Sequence, residues 1–149
     1  MYKDVRIMDR ECLDKAKMLL KKTGSTCVLC GSDVILTDNR RGVRPLLDLL
    51  TGGTSVAGFA AADKVVGKAA AYLYCLLGVR TLYAEVISAP ALEVLESHSI
   101  PVEYSTLVPG IRNRTGDGPC PMENAVLHIH DPEKALVAIQ NTLAKLNSH

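Results

Sequence analysis

A cysteine beside a proline could act as a nucleophile in this chain. Cys120 precedes Pro121, and proline suits the first position of a helix, so Cys120 is expected at an N-cap. A thiol at a helix N-terminus can have a lowered pKa and be reactive. Glu123 follows Cys120 by three residues, the spacing of a capping box. A Gly/Pro-rich loop with an incidental thiol and a capping glutamate explains the same residues, and the sequence favours that simpler explanation.

A second group of residues has the chemistry of an anion site. Asp63, Lys64, Gly67 and Lys68 fall at the start of a helix predicted over Asp63–Leu77. Two lysines on one helix edge near the N-terminus oppose the macrodipole, a conflict that a bound anion would relieve. A glycine inside a helix costs roughly 1 kcal/mol relative to alanine, which indicates that another group approaches closely. A capped helix with solvated lysines explains the pattern equally well.

Arginines in two predicted turns could add to such a site. Arg40, Arg41 and Arg44 lie in one turn, and Arg112 and Arg114 lie in the other. Guanidinium groups suit bidentate recognition of phosphate, although solvated loop charges are the commoner explanation. We therefore expect ligand contacts from these arginines only if both turns fold over the predicted helix start.

The other cysteines and histidines predict no metal site and no disulfide framework. Cys27 and Cys30 are three apart on a predicted strand, so their side chains should point to opposite faces and be buried. His128 and His130 have no glutamate at the spacing of a zinc protease, and we expect them at the surface or capping a helix. We predict no metal and no cofactor.

Alternating helices and strands must position these residues. Helices are predicted over Arg10–Lys22, Pro45–Leu50, Asp63–Leu77, Pro90–Ser97 and Pro132–Leu146, with a short one from Pro121. Strands are predicted over Ser25–Cys30, Asp33–Thr37, Arg80–Ser88 and Val102–Leu107, with a two-residue hairpin turn at Gly31 and Ser32. Val56–Ala62 is either a buried strand or the entry to the next helix. The order predicts a mixed sheet of about five strands with helices on both faces.

Composition excludes several classes of protein. The 149 residues, 48% of them apolar, predict a single domain over residues 1–149. A net charge of +1 and only 4% aromatic residues argue against dedicated nucleic-acid binding. The first residues do not predict a signal peptide, and no apolar run reaches the ~18 residues that a bilayer requires. We therefore expect a cytoplasmic protein with no membrane partner.

Three segments resemble the signature of a small prokaryotic family of unknown function. They are Gly42–Asp48, Ala62–Ala71 and Gly118–Asn124. That family is similar in fold to cytidine deaminases, so the resemblance implies a three-layer α/β/α sandwich with a mixed sheet. The resemblance implies no reaction, because the family's biochemical role is open.

The zinc ligands of a nucleobase deaminase are missing from the sequence. Such an enzyme needs His or Cys, one residue, then Glu at one helix start, and Pro-Cys-x-x-Cys at the next. The first helix is predicted to open with Ala62–Val65, which contains no such triplet. If Pro90 aligns with the motif's proline, Ala91 and Val94 replace the two cysteines. The resemblance therefore carries over the scaffold without zinc-dependent deamination.

Two functions, and a third possibility, follow from these features. The first is binding of a nucleotide or other small anion at the Asp63–Lys68 helix start. The alternative is an enzyme that uses Cys120 as nucleophile, with Asp63 or Glu123 as proton shuttle. A regulatory or assembly protein without catalysis is the third. A homo-oligomer is an open alternative to a monomer, and whether the protein is an enzyme stays open. The predicted ligand-binding residues are Lys64, Gly67, Lys68, Glu123 and Arg41.

Overall fold

The computed structural model describes residues 2–113, 115–116, 118 and 120–147, and side chains from residue 9 onward. Its helices are α1 (Tyr2–Thr23), α2 (Arg44–Gly52), α3 (Lys68–Leu77), α4 (Ala89–Ser97), α5 (Pro121–Ala125) and α6 (Pro132–Asn147). Its strands are β1 (Cys27–Cys30), β2 (Ile35–Asp38), β3 (Ala60–Val66), β4 (Thr81–Ser88) and β5 (Val102–Val108).

The five strands form one mixed sheet in the order β2-β1-β3-β4-β5. Strand β1 pairs antiparallel with both β2 and β3, whereas β3, β4 and β5 run parallel. Parallel neighbours need crossover connections, and α3 and α4 supply them. The prediction of a mixed five-stranded α/β fold is confirmed.

The helices cover the two faces of the sheet unequally. In β1, Val28 and Cys30 pack with α1, while Cys27 and Leu29 belong to the larger core on the other face. Successive strand residues point to opposite faces, so α1 forms one layer and the remaining helices form the other. The prediction that Cys27 and Cys30 are buried on opposite faces is confirmed, since both are almost fully buried.

The predicted helix over Asp63–Leu77 is wrong in its first five residues. The first four of them belong to β3, which ends at Val66, and α3 begins only at Lys68. Gly67 is the extended N-cap residue of α3 and does not lie inside the helix. Strand β3 lies between β1 and β4 and is buried on both faces over its first half, so its alanines show no alternation that would distinguish a strand from a helix. Pairing in the sheet outweighs the helix preference of alanine.

The hairpin between β1 and β2 also differs from its predicted form. Residues 31–34 connect the strands, four residues where two were predicted. The Gly31 N–H donates to the Val34 carbonyl at 2.8 Å. A Cβ atom at Gly31 would lie 2.7 Å from the Phe59 ring, so the packing of Phe59 requires a glycine there.

The other elements lie within a few residues of their predicted positions, except that α1 starts eight residues earlier. Asp131 caps α6, because its Oδ2 accepts from the Lys134 N–H at 3.2 Å. Cys120 is the N-cap residue of α5, as predicted. Within the residues described, none of the helices combines the length and apolar character needed to cross a bilayer.

Candidate functional site

A cavity of about 810 Å³ opens where α2, β3, the start of α3, the segment before α5 and the end of α6 meet. Much of its wall is apolar because the N-cap residue of α2, the segment after β5, and helices α2, α5 and α6 turn aliphatic side chains toward it. These side chains are Val43, Pro45, Leu46, Ile111, Met122, Leu143 and Leu146. Such a wall can bury the organic body of a small molecule.

Both predicted arginine turns reach this cavity. Arg41 lines it from the turn before α2, Arg44 from the first position of α2, and Arg112 from the segment after β5. Asp63 and Lys64 of β3 line the same cavity, so residues of both turns and of β3 share one cavity, whereas Lys68 at the start of α3 does not line it. Arg114 lies outside the described residues.

The lysine and arginine side chains that line the cavity differ in whether they have an ion-pair or hydrogen-bond partner. Arg40 is held by Asp38 and Asp48, at 2.7 and 2.6 Å. Arg44 donates to the Asn147 side chain at 2.7 Å. The three that remain, Arg41, Lys64 and Arg112, make no ion pair or hydrogen bond through their side chains to any other described residue. Three positive groups therefore line this cavity without an ion-pair partner among the described residues.

Asp63 brings a carboxyl group to the same cavity. The Tyr74 hydroxyl donates to Asp63 Oδ2 at 2.6 Å, and the Val65 N–H donates to Oδ1 at 3.2 Å. Tyr74 Oη also lies 3.3 Å from Cys27 Sγ. Burial raises the pKa of Asp63 to about 7, although the hydrogen bonds from Tyr74 and Val65 act in the opposite direction. The carboxyl is therefore poised to change protonation near neutral pH.

Glu123 binds the start of α3. Its Oε1 accepts from the Lys68 N–H at 2.6 Å and its Oε2 from the Ala69 N–H at 2.9 Å. A Cβ atom at Gly67 would lie 2.5 Å from Glu123 Oε1. The close approach expected at Gly67 is present, but the approaching group is the protein's own carboxylate. The predicted capping box between Glu123 and Cys120 is wrong, because Glu123 caps a different helix.

Lys68 is separated from the other candidate residues. Its Nζ donates to the Leu127 carbonyl at 3.1 Å and lies 5.8 Å from the centroid of the Tyr72 ring. Lys68 does not line the cavity, whereas Lys64 does. The predicted shared helix edge of these two lysines is wrong, because one is on β3 and the other begins α3.

Cys120 is half-buried and lines the cavity, and its side chain makes no capping hydrogen bond to α5. His128 and His130 are exposed, as expected. In the part of the chain that the structure describes, no three His, Cys, Asp or Glu side chains are grouped to hold a metal ion.

Sequence reasoning missed Tyr74 and Cys27 as partners of the Asp63 carboxyl. Asp63 is on β3, Cys27 on β1 and Tyr74 on α3. Their spacing in the sequence carries no signal, since only the strand pairing of Cys27 with Asp63 and the return of α3 over the sheet bring them together. Because Asp63 was predicted to lie on a helix, its strand pairing with Cys27 could not be predicted.

The fold and cavity define an α/β protein with a five-stranded mixed sheet and a largely apolar cavity beside β3 that also carries charged side chains. The chain belongs to the family described as a domain of unknown function, DUF1893, whose model matches residues 15–143. The resemblance to a family of unknown function is thereby confirmed.

Two solved structures are similar to this chain. A crystal structure of a DUF1893 family protein from Thermotoga maritima has a TM-score of 0.80 and 27% identity, over 91% of this chain and 90% of that one. A dCMP deaminase from the cyanophage S-TIM5, in apo form, has a TM-score of 0.43 and 12% identity, over 64% of this chain and 95% of that one. The comparison with curated proteins gave no match.

Proposed function

We propose that the protein binds a small organic anion of nucleotide size in this cavity, without zinc-dependent deamination. The observation that carries the proposal is the convergence of Arg41, Lys64 and Arg112, none paired with a described residue, on one cavity of about 810 Å³. Guanidinium and ammonium groups bind phosphate and carboxylate by charge-assisted hydrogen bonds. The volume lies within the range of pockets for small ligands, roughly 300–1,000 Å³.

The anion is expected at the cationic wall of the cavity and not at a helix start. Glu123 already accepts hydrogen bonds from the first two N–H groups of α3, and its negative charge would repel a second anion there. The apolar wall formed by α2, α5 and α6 is suited to the ligand's uncharged body. An organic anion with a flat or aliphatic body, such as a nucleotide, has both features.

Isothermal titration of the full chain with a panel of nucleoside monophosphates tests this proposal. We expect at least one to bind, and an Arg41→Ala/Lys64→Ala variant to bind it at least 10-fold more weakly. Lys68→Ala is the matched control, since it removes a nearby lysine whose side chain lies outside the cavity. No binding by the wild type, or equal losses in the cavity variant and the control, would contradict the proposal.

The other predicted functions stay predictions. Cys120 lines the same cavity as Asp63, so the two could act together, but Glu123 is bound to α3 and is not a free proton shuttle. Iodoacetamide labelling followed by peptide mass spectrometry would measure the reactivity of Cys120 against Cys27, which is buried. Homo-oligomer formation, a single domain over residues 1–149 and a cytoplasmic location likewise remain to be tested.

A further inference from the structure

We infer that Asp63 sets the specificity of this cavity by accepting hydrogen bonds from the ligand, so that the ligand is an organic anion that also carries adjacent N–H donors. This inference rests on the proposed function and names the chemical class of its ligand. A purine bearing an amino group next to a ring N–H, linked to a phosphate, is one member of that class.

The first step is the placement of the Asp63 carboxyl. Asp63 is on a strand that pairs on both sides, opposite Cys27 of β1 and Ala84 of β4. The Tyr74 hydroxyl fixes one carboxyl oxygen and the Val65 N–H fixes the other. An ionised carboxylate has about four acceptor positions, and the bonds from Tyr74 and Val65 occupy two of them. A carboxylate held in this way is preorganised to accept two neighbouring N–H donors.

The second step is that the charges of the cavity do not neutralise one another. No described lysine or arginine lies within ion-pair distance of Asp63. The cavity thus presents a negative acceptor from Asp63 of β3 and separate positive groups from Lys64 and from the two turns. A ligand that only carries anionic groups would leave the partly buried Asp63 without a ligand donor, which is costly for a carboxylate taken out of water. N–H donors on the same ligand remove that cost.

The third step concerns the protonation of Asp63. The titratable groups that face it are Cys27 of β1, Tyr74 of α3 and, at longer range, Glu85 of β4. None of them is a cation, and burial raises the pKa of Asp63 to about 7. Only the ionised form accepts from two N–H groups without presenting its own O–H to one of them. Affinity for such a ligand should therefore rise roughly 10-fold between pH 6 and pH 8, as the ionised fraction grows.

Guanosine and inosine 5′-monophosphate are matched probes, because they differ only in the amino group beside the ring N–H. By isothermal titration of the full chain at pH 8, we expect the wild type to bind the guanosine nucleotide at least 10-fold more tightly. Asp63→Asn should remove that preference and also the contribution of Asp63 to the pH dependence of the affinity. Any pH dependence that remains in this variant reports the titration of the ligand's phosphate. Equal affinities in the wild type, or a preference that persists in Asp63→Asn, would overturn the inference.

Tyr74→Phe provides a second test if Asp63→Asn does not fold. It removes the hydroxyl that lowers the pKa of Asp63 and leaves the ring in place, so the pH at half-maximal affinity should move upward. An unchanged pH profile would overturn the inference. If other nucleotides bind and neither purine does, the inference fails and the proposed function survives. If no nucleotide binds the wild type, both fail.

Discussion

The helices that follow β3 and β4 begin in contrasting ways. Helix α4 is capped locally, because Ser88 Oγ accepts from the Ala91 N–H at 3.2 Å. Helix α3 has a glycine N-cap with no side chain, and its first N–H groups are bound by Glu123, 55 residues away from Lys68. In both helices, N–H groups of the first turn have a side-chain acceptor. In α4 that acceptor is the neighbouring Ser88, whereas in α3 it comes from a distant segment.

The two helix caps also differ in their position relative to the cavity. Gly67 and Glu123 line the cavity, whereas Ser88 does not. The start of α3 therefore holds α5, and with it one wall of the cavity, in place. The start of α4 is a self-contained part of the core, since Ser88 is fully buried. A distant cap couples two elements of the site, and a local cap stabilises a single helix.

Removing the distant cap should have the largest effect on stability. We expect Glu123→Ala to lower the free energy of unfolding by about 3 kcal/mol, because two charge-assisted hydrogen bonds and a favourable contact with the helix dipole are lost. Urea denaturation followed by circular dichroism measures this. Glu133→Ala, an exposed glutamate in the first turn of α6, is the control and should cost less than about 0.5 kcal/mol. Similar losses of unfolding free energy in the two variants would contradict a stabilising role for the Glu123 cap.

Adding a methyl group at Gly67 should displace the same carboxylate. The new Cβ atom would lie 2.5 Å from Glu123 Oε1, so Gly67→Ala should cost about 1–2 kcal/mol through the hydrogen bonds that it weakens. In a Glu123→Ala background the cost should fall below about 0.5 kcal/mol, because no carboxylate remains to be displaced. Equal costs in the two backgrounds in a double-mutant cycle would contradict the coupling.

Removing the local cap should have the smallest effect. We expect Ser88→Ala to lower the free energy of unfolding by about 1 kcal/mol, the usual effect of losing an N-cap side chain. Its effect should add to that of Glu123→Ala, since each side chain serves a different helix. A coupling larger than about 0.5 kcal/mol would show that the two helix starts are not independent.

The sequence predicted best those features that depend on neighbouring residues. Asp131 and Pro132 identify the start of α6, and Pro121 places Cys120 at the N-cap of α5. Pro90, the predicted start of α4, lies one residue after the observed start at Ala89. In each case the signal is a proline or a capping side chain within the segment itself.

The features that were mispredicted depend on contacts between distant segments. The alanines of β3 form a strand because β1 and β4 pair with them on either side, and nothing in the local sequence reports that pairing. The same is true of Glu123, whose local spacing fits a capping box with Cys120 but whose carboxylate reaches Lys68. The candidate residues Asp63, Lys64 and Gly67 do line one cavity, although the helix that was expected to gather them is a strand end.

The separation between Lys68 and Glu123 also sets an order of events during protein synthesis. At roughly 5–20 residues per second, ribosomes need about 3–11 s to add the 55 residues between them. During that interval the start of α3 has no cap, while β1, β3 and then β4 are already available to pair. The sheet can therefore form on the nascent chain first, and the cavity is completed only after both α5 and α6 have been translated.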